Sequence, residues 1–138
     1  MNSKTYDEYN YWLGQNEDSN WNEYITEQVA HGVLGKFNAE DWQLLYDTIL
    51  SKEEYWQERS AAALGEQRSP DAIEILKKLL DSKFTEVTIA AASELDWTEA
   101  LIEHKYAEKI QSIIDNLSLD ELESHPELAN LLKKSKKT

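Results

Sequence analysis

The chain contains no cysteine, and only four glycines and two prolines occur among its 138 residues. Without cysteine, neither a disulfide framework nor a thiolate metal site can form. The few glycines do not build a phosphate-cradling loop. No run of 18 apolar residues occurs, so we expect no membrane-spanning helix and no membrane partner. These absences argue against secreted disulfide-rich, nucleotide-binding and membrane classes of protein.

The N-terminal residues also lack the apolar stretch of a secretory signal peptide. Together with the absence of cysteine, this predicts a cytoplasmic protein. The length predicts one domain over residues 1–132, followed by a basic flexible tail over residues 133–138.

Residue patterns that carry catalysis are missing as well. His31, His104 and His125 are far apart, and no His-x-x-x-His or Gly-x-Ser-x-Gly pattern is present. Two carboxylate pairs, Glu53 with Glu54 and Glu99 with Glu103, fall on helix faces that we expect to be solvated. We therefore predict a protein that is not an enzyme, with no cofactor and no metal.

What the chain has in excess is negative charge. It carries 14 basic and 27 acidic residues, and four of the basic ones lie in the tail, which leaves residues 1–132 with a net charge of −17. Such a body repels nucleic-acid phosphates and attracts cationic partners. Five tryptophans and seven tyrosines accompany this charge, and both residue types are enriched in protein interfaces. The charge serves either solubility alone or the capture of a basic protein.

The sequence also repeats itself. Residues 56–65 return as residues 87–96, so that Trp56 matches Val87, Ala61 matches Ala92 and Leu64 matches Leu95. Residues 30–35 align with residues 60–65 in the same way. A period of about 30 residues predicts stacked helix pairs, an architecture that builds extended binding surfaces.

The repeated residues resemble the HEAT-like repeats first described in phycobilin lyases. The resemblance lies in residues 61–65, 69–73, 79–81, 87 and 90–92, and it departs where Gln57 and Thr88 replace the arginine that usually follows valine. It implies an all-α fold, a short right-handed α-solenoid of about seven to nine helices. It does not imply lyase activity, because the repeat motif does not carry that chemistry.

Helix boundaries follow from periodicity and capping residues. Asn38 and Ser69 are N-cap residues, Pro70 fits the first helical position, and Gly65 suits a left-handed helix end. Five predicted helices cover residues 4–13, 21–34, 53–64, 83–95 and 98–117, the last broken near His104. Two further helices are predicted to start after Asn38 and at Pro70, a short turn follows Ser118, and a final helix starts at Pro126.

Most aromatic residues fall at inward helical positions, including Trp21, Trp42, Tyr46, Trp56 and Tyr6, and His31 aligns with the inward Ala61. Other residues fall off this apolar stripe, on the face that lines the inner surface of a solenoid. The predicted partner-binding residues on that face are Glu27, Tyr55, Glu58, Glu86, Ile89, Glu94 and Trp97.

Two functions from different classes fit these features. The first is a bacterial immunity protein, which neutralises a cationic toxin domain, such as a nuclease, by binding it through this acidic aromatic surface. Immunity proteins on HEAT-like scaffolds resemble this chain in architecture and charge, which is analogy at the level of the scaffold. The second is a non-inhibitory scaffold or adaptor, or more weakly a lyase- or chaperone-like factor. We expect the free protein to be a monomer.

Overall fold

The computed structural model describes residues 4–14, 23–98 and 102–136. These residues form helices and connecting turns, and no strand occurs among them, as the HEAT-like prediction requires. Nine α-helices are described: α1 (Lys4–Leu13), α2 (Glu23–Gln28), α3 (Ala39–Thr48), α4 (Glu54–Gln67), α5 (Pro70–Leu79), α6 (Thr85–Trp97), α7 (Ala107–Asp115), α8 (Leu119–Ser124) and α9 (Pro126–Lys136).

The helices stack in two layers. In the first layer α1 packs on α3 and α3 on α5, and in the second layer α2 packs on α4, α4 on α6 and α6 on α9. Helix α7 packs on α6 and α9, while α8 contacts α9. The core between the layers is built from buried Leu, Ile, Val and Ala with Tyr9 and Trp56. Ala61, Ala91 and Ala92 are fully buried, and their small side chains let α4 and α6 approach closely.

Capping residues set several helix starts as the sequence predicts. The side chain of Asn38 accepts a hydrogen bond from the Asp41 amide at 2.9 Å, and the Asp41 carboxylate accepts one from the Asn38 amide. Ser69 accepts from the Ala72 amide, with Pro70 at the first helical position. Ser118 and Glu121 form a second reciprocal pair. Each motif satisfies amide groups that a helix start leaves without an intrahelical partner.

The predicted end of α4 is wrong. Gly65 does not adopt the left-handed conformation, and the helix continues to Gln67, where Arg68 takes that conformation with φ 60° and ψ 14°. Gly65 instead lies in the helix interior, where its missing Cβ leaves room for the side chain of Glu94 from α6. The glycine therefore allows α4 and α6 to approach closely at this position.

The register of the second predicted helix also differs. After Gln28 the chain forms a π-helical turn over Val29–Val33 and a 3-10 turn over Leu34–Lys36. Within this wider turn Ala30 is buried and His31 is exposed. The prediction that His31 occupies an inward position is therefore wrong. Trp21, where this helix was predicted to start, lies outside the described residues.

Three further predictions need correction. Tyr46 was predicted in the core but is 40% exposed, because it lies at the rim of the first layer. Helix α6 starts at Thr85 and runs to Trp97, two residues beyond the predicted end. Residues 133–136, predicted as flexible tail, continue α9, in which Ser135 is buried and Lys134 binds the Asp96 carboxylate at 2.7 Å. Glu99, from one predicted carboxylate pair, lies outside the described residues.

Candidate functional site

The second layer presents a solvent-accessible surface that carries most of the predicted binding residues. On α4 the partly exposed positions Tyr55, Glu58, Ala62 and Glu66 recur with helical spacing. On α6 the accessible positions include Glu86, Ala90, Ser93, Glu94 and Trp97, and on α2 they include Glu27. We name this surface the carboxylate face, defined by Glu27, Tyr55, Glu58, Glu66, Glu86, Glu94 and Trp97.

Direct contacts join α4 and α6 at their C-terminal ends. Arg68 donates from Nε to the carbonyl oxygen of Gly65 at 3.1 Å, and its guanidinium lies 5.4 Å from the centroid of the Trp97 ring. The Trp97 side chain remains 66% exposed. Arg68 is held in a backbone conformation that non-glycine residues rarely adopt, with its side chain stacked on an exposed tryptophan. The pair therefore presents a large, preoriented contact surface.

Glu94 lies beside this pair, against the helix backbone at Gly65. Burial raises the pKa of Glu94 to about 7, although the nearby Arg68 charge lowers the pKa and the Glu66 charge raises it. Desolvation disfavours the charged carboxylate, which explains the direction. Near neutral pH the Glu94 side chain is therefore only partly ionised, and its contribution to the negative field depends on pH.

His31 extends the carboxylate face toward α2. Its Nε2 atom lies 3.4 Å from Oε1 of Glu66, and the His31 side chain is 62% exposed. Glu27 lies one helical turn earlier, also exposed. Glu66 thus stands between His31 on one side and the Glu94 and Arg68 charges on the other.

Tyr55 lies at the opposite end of α4. The guanidinium of Arg59 lies 4.9 Å from the Tyr55 ring centroid and donates from Nη1 to the Leu13 carbonyl at 3.1 Å. Tyr55 lines an open depression of about 520 Å³ with Tyr11 of α1 and Lys52 among its other walls. The structure thus separates Tyr55 from the cluster around Glu94 and Trp97 along the length of α4.

One predicted site residue does not lie on this surface. Ile89 is only 4% exposed and belongs to the core. Helix α6 is packed by α4, α5, α7 and α9, so more of its circumference is covered than in a helix at the edge of a layer. Predicting Ile89 as a surface residue is therefore wrong, while Glu86 is exposed at the start of the same helix.

The first layer carries a second feature, which the sequence did not reveal. A groove of about 560 Å³ lies between α3 and α5, and its walls are Phe37, Asn38, Ala39, Trp42, Gln43, Tyr46, Asp71, Glu74 and Ile75. Trp42 and Tyr46 have the spacing of core residues on a helix, so periodicity alone assigned them inward. Only the packing of α3 on α5 shows that they border an open groove.

Across the parts of the chain that the structure describes, no group of three or more His, Asp or Glu side chains is arranged to hold a metal ion. None of the described helices is long and apolar enough to cross a membrane.

Comparison with known proteins identifies the repeat unit. The family described as PBS lyase HEAT-like repeat matches residues 56–82, which span most of α4, all of α5 and the turn after it. Neither a curated protein nor a solved structure matches the chain. The match supports the HEAT-like repeat fold and favours a protein-interaction or scaffold module.

Proposed function

We propose that this chain is an immunity protein that neutralises a cationic toxin domain, such as a nuclease, by binding it through the carboxylate face. The observation that carries this proposal is the exposed Trp97, which stacks on Arg68 near Glu94, on a body whose residues 1–132 have a net charge of −17. Proteins of opposite charge associate faster, and buried aromatic anchors hold the complex together.

The mechanism is steric and electrostatic. Carboxylates of Glu58, Glu66 and Glu86 take the place of nucleic-acid phosphates opposite the lysines and arginines of the toxin. Trp97, already stacked on Arg68, supplies apolar contact area without the full entropic cost of ordering a free side chain. Occupying the toxin's cationic surface then excludes its substrate.

A non-inhibitory scaffold or adaptor is the second candidate. The HEAT-like match favours it directly, because such repeats are interaction modules irrespective of inhibition. The two candidates differ in what happens to the partner, since only an immunity protein abolishes the partner's activity at equal stoichiometry. A gene for a large toxin directly before this one would supply the partner to test.

The test is an activity titration of that toxin domain with wild-type protein and variants. We expect inhibition to saturate at one equivalent, and Glu58→Lys combined with Glu86→Lys to weaken binding about tenfold or more, since like charges then face each other. Asp120→Lys combined with Glu123→Lys, at two exposed positions on α8, is the control that matches the change in net charge. Full binding without loss of toxin activity would identify an adaptor instead.

Tyr55→Ala and Trp97→Ala test the two ends of the face separately. We expect each to speed dissociation if its ring is an anchor, with association little changed. A melting curve of every variant controls for folding. Wild-type affinity in all of these variants would place the interface elsewhere on the protein.

A further inference from the structure

The groove between α3 and α5 combines aromatic walls with negative charge. Of the residues that line it, Phe37, Trp42 and Tyr46 are aromatic, Asp71 and Glu74 are acidic, and none is Lys, Arg or His. Its volume of about 560 Å³ lies in the range of sites that hold a small ligand or a few side chains. Its walls belong to the first layer, whereas the carboxylate face belongs to the second.

We infer that this groove is a second docking site, which takes an arginine or lysine side chain from an extended segment of a basic protein partner. The inference takes from the proposed function only the assumption that the partner is basic. It does not depend on the carboxylate face, because the groove lies apart from that face. The occupant follows from charge complementarity and from the apolar stem that both side chains carry.

The aromatic walls suit a cation. Trp42 and Tyr46 are four residues apart on α3 and are therefore neighbours on its surface. The ammonium of Lys78 lies 3.9 Å from the centroid of the Tyr46 ring and covers one face of it. An incoming cation therefore meets Trp42 or the other face of Tyr46, which is 40% exposed. Trp42 is fixed by an edge-to-face contact with Phe37, at 4.9 Å between centroids. The walls are thus preorganised for binding.

One of the two acidic residues in the wall is available for a new ion pair. Glu74 shares its charge with Lys77, whose Nζ lies 3.3 Å away and also binds Glu103 at 2.6 Å. Asp71 is exposed, and within the described ranges no basic side chain pairs with it. A guanidinium or ammonium entering the groove therefore meets one carboxylate that is not already neutralised. Asp71 is therefore the residue that makes the groove favour a positively charged side chain.

The charge of the whole protein disfavours a second copy as the occupant, since two chains of net charge −13 repel each other. The groove is open, and an isolated small cation in it would keep much of its hydration and gain little from the carboxylate. A segment of a protein brings additional backbone and apolar contacts along the groove.

The experiment is an NMR titration with a capped peptide of alternating glycine and arginine, using the indole N–H signal of Trp42 as the readout. We expect this signal to shift with the arginine peptide and not with a counterpart that carries glutamate in place of arginine. Asp71→Asn and Tyr46→Leu should each raise the dissociation constant about fivefold. Asp120→Asn, the same change in the first turn of α8, is the control and should leave the dissociation constant unchanged.

Several outcomes would overturn the inference. Shifts confined to α4 and α6, or wild-type peptide affinity in both groove variants that melt normally, would remove the groove as a site. Arginine amide that binds as tightly as the peptide would assign the groove to a free small cation. A Trp42 signal that moves with protein concentration alone would assign it to a second copy. Toxin inhibition that persists in any of these cases leaves the proposed function intact.

Discussion

The side chain of Glu94 on α6 fills the space that a side chain at Gly65 of α4 would occupy. The Glu94 carboxylate lies over the helix backbone at Gly65, where the side chain of any other residue would overlap it. The glycine is helical, with no positive φ, so its role is space and not conformation. The contact half-buries Glu94 and raises its pKa to about 7.

Gly65→Ala should therefore move the Glu94 side chain outward. Alanine is favoured over glycine in a helix by about 1 kcal/mol, and the displaced carboxylate regains water. We expect the free energy of unfolding at neutral pH to stay equal or rise, and the pKa of Glu94 to fall toward 4.5. Carboxyl ¹³C NMR titration measures the pKa. A pKa that remains near 7 would show that something other than this contact desolvates Glu94.

Glu94→Gln tests the same group through the pH dependence of stability. With a folded pKa raised above the unfolded value, wild-type stability should fall as pH rises from about 4.5 to about 7 and then level off. Glutamine removes this loss, so the variant should be more stable by about 1 kcal/mol above pH 7, a value discounted because Glu94 is partly exposed. Denaturant unfolding measures it. Near pH 4.5 the two proteins should be equally stable, and a constant difference across pH would contradict the expectation.

The buried alanines of the second layer should not accept charge. Ala61→Asp or Ala92→Asp places an unpaired carboxylate at a fully buried helix contact, so we expect a loss of several kcal/mol or failure to fold. Ala62→Asp is the matched control, because Ala62 is the next residue of the same helix and is only half-buried. Thermal melts compare the three. A retained melting temperature in Ala61→Asp and Ala92→Asp would mean that this interface is not tightly packed.

A hydrogen bond between α1 and α4 offers a double-mutant test. The Tyr9 hydroxyl lies 2.6 Å from the Ser60 hydroxyl, and both side chains are fully buried. Tyr9→Phe leaves Ser60 without this partner and should cost about 1–2 kcal/mol of unfolding free energy. Adding Ser60→Ala should cost little more, because the unsatisfied hydroxyl is then removed. Additive losses in the double variant would show that the two hydroxyls do not interact.

Binding of a basic partner should depend on salt. Screening shortens the reach of the acidic field, so the association rate should fall as ionic strength rises, while the dissociation rate changes less. Stopped-flow measurements across salt concentrations provide the rates. If the association rate is unchanged between low and physiological salt, the negative charge does not speed association and serves solubility only.

The helical-repeat architecture can be predicted from patterns in the sequence. The period of about 30 residues and the caps at Asn38, Ser69 and Ser118 are local signals, and they specified the helical pairs and several helix starts. The negative charge of residues 1–132 is likewise independent of the fold. Such features follow from the order of residues along the chain and do not require knowledge of which helices contact each other.

The accessibility of individual side chains, in contrast, depends on how the helices pack against one another. Helical periodicity tells on which face of a helix a side chain lies. It does not tell how many neighbouring helices cover that face. Ile89 is buried because α6 has several packing partners, whereas Tyr46, at an equally apolar position, is exposed beside a groove. His31, predicted to point inward, is exposed in a π-helical turn that the sequence pattern did not indicate. Gly65 leaves room for Glu94, a residue of another helix. Contacts between helices set these outcomes, and no local pattern encodes them.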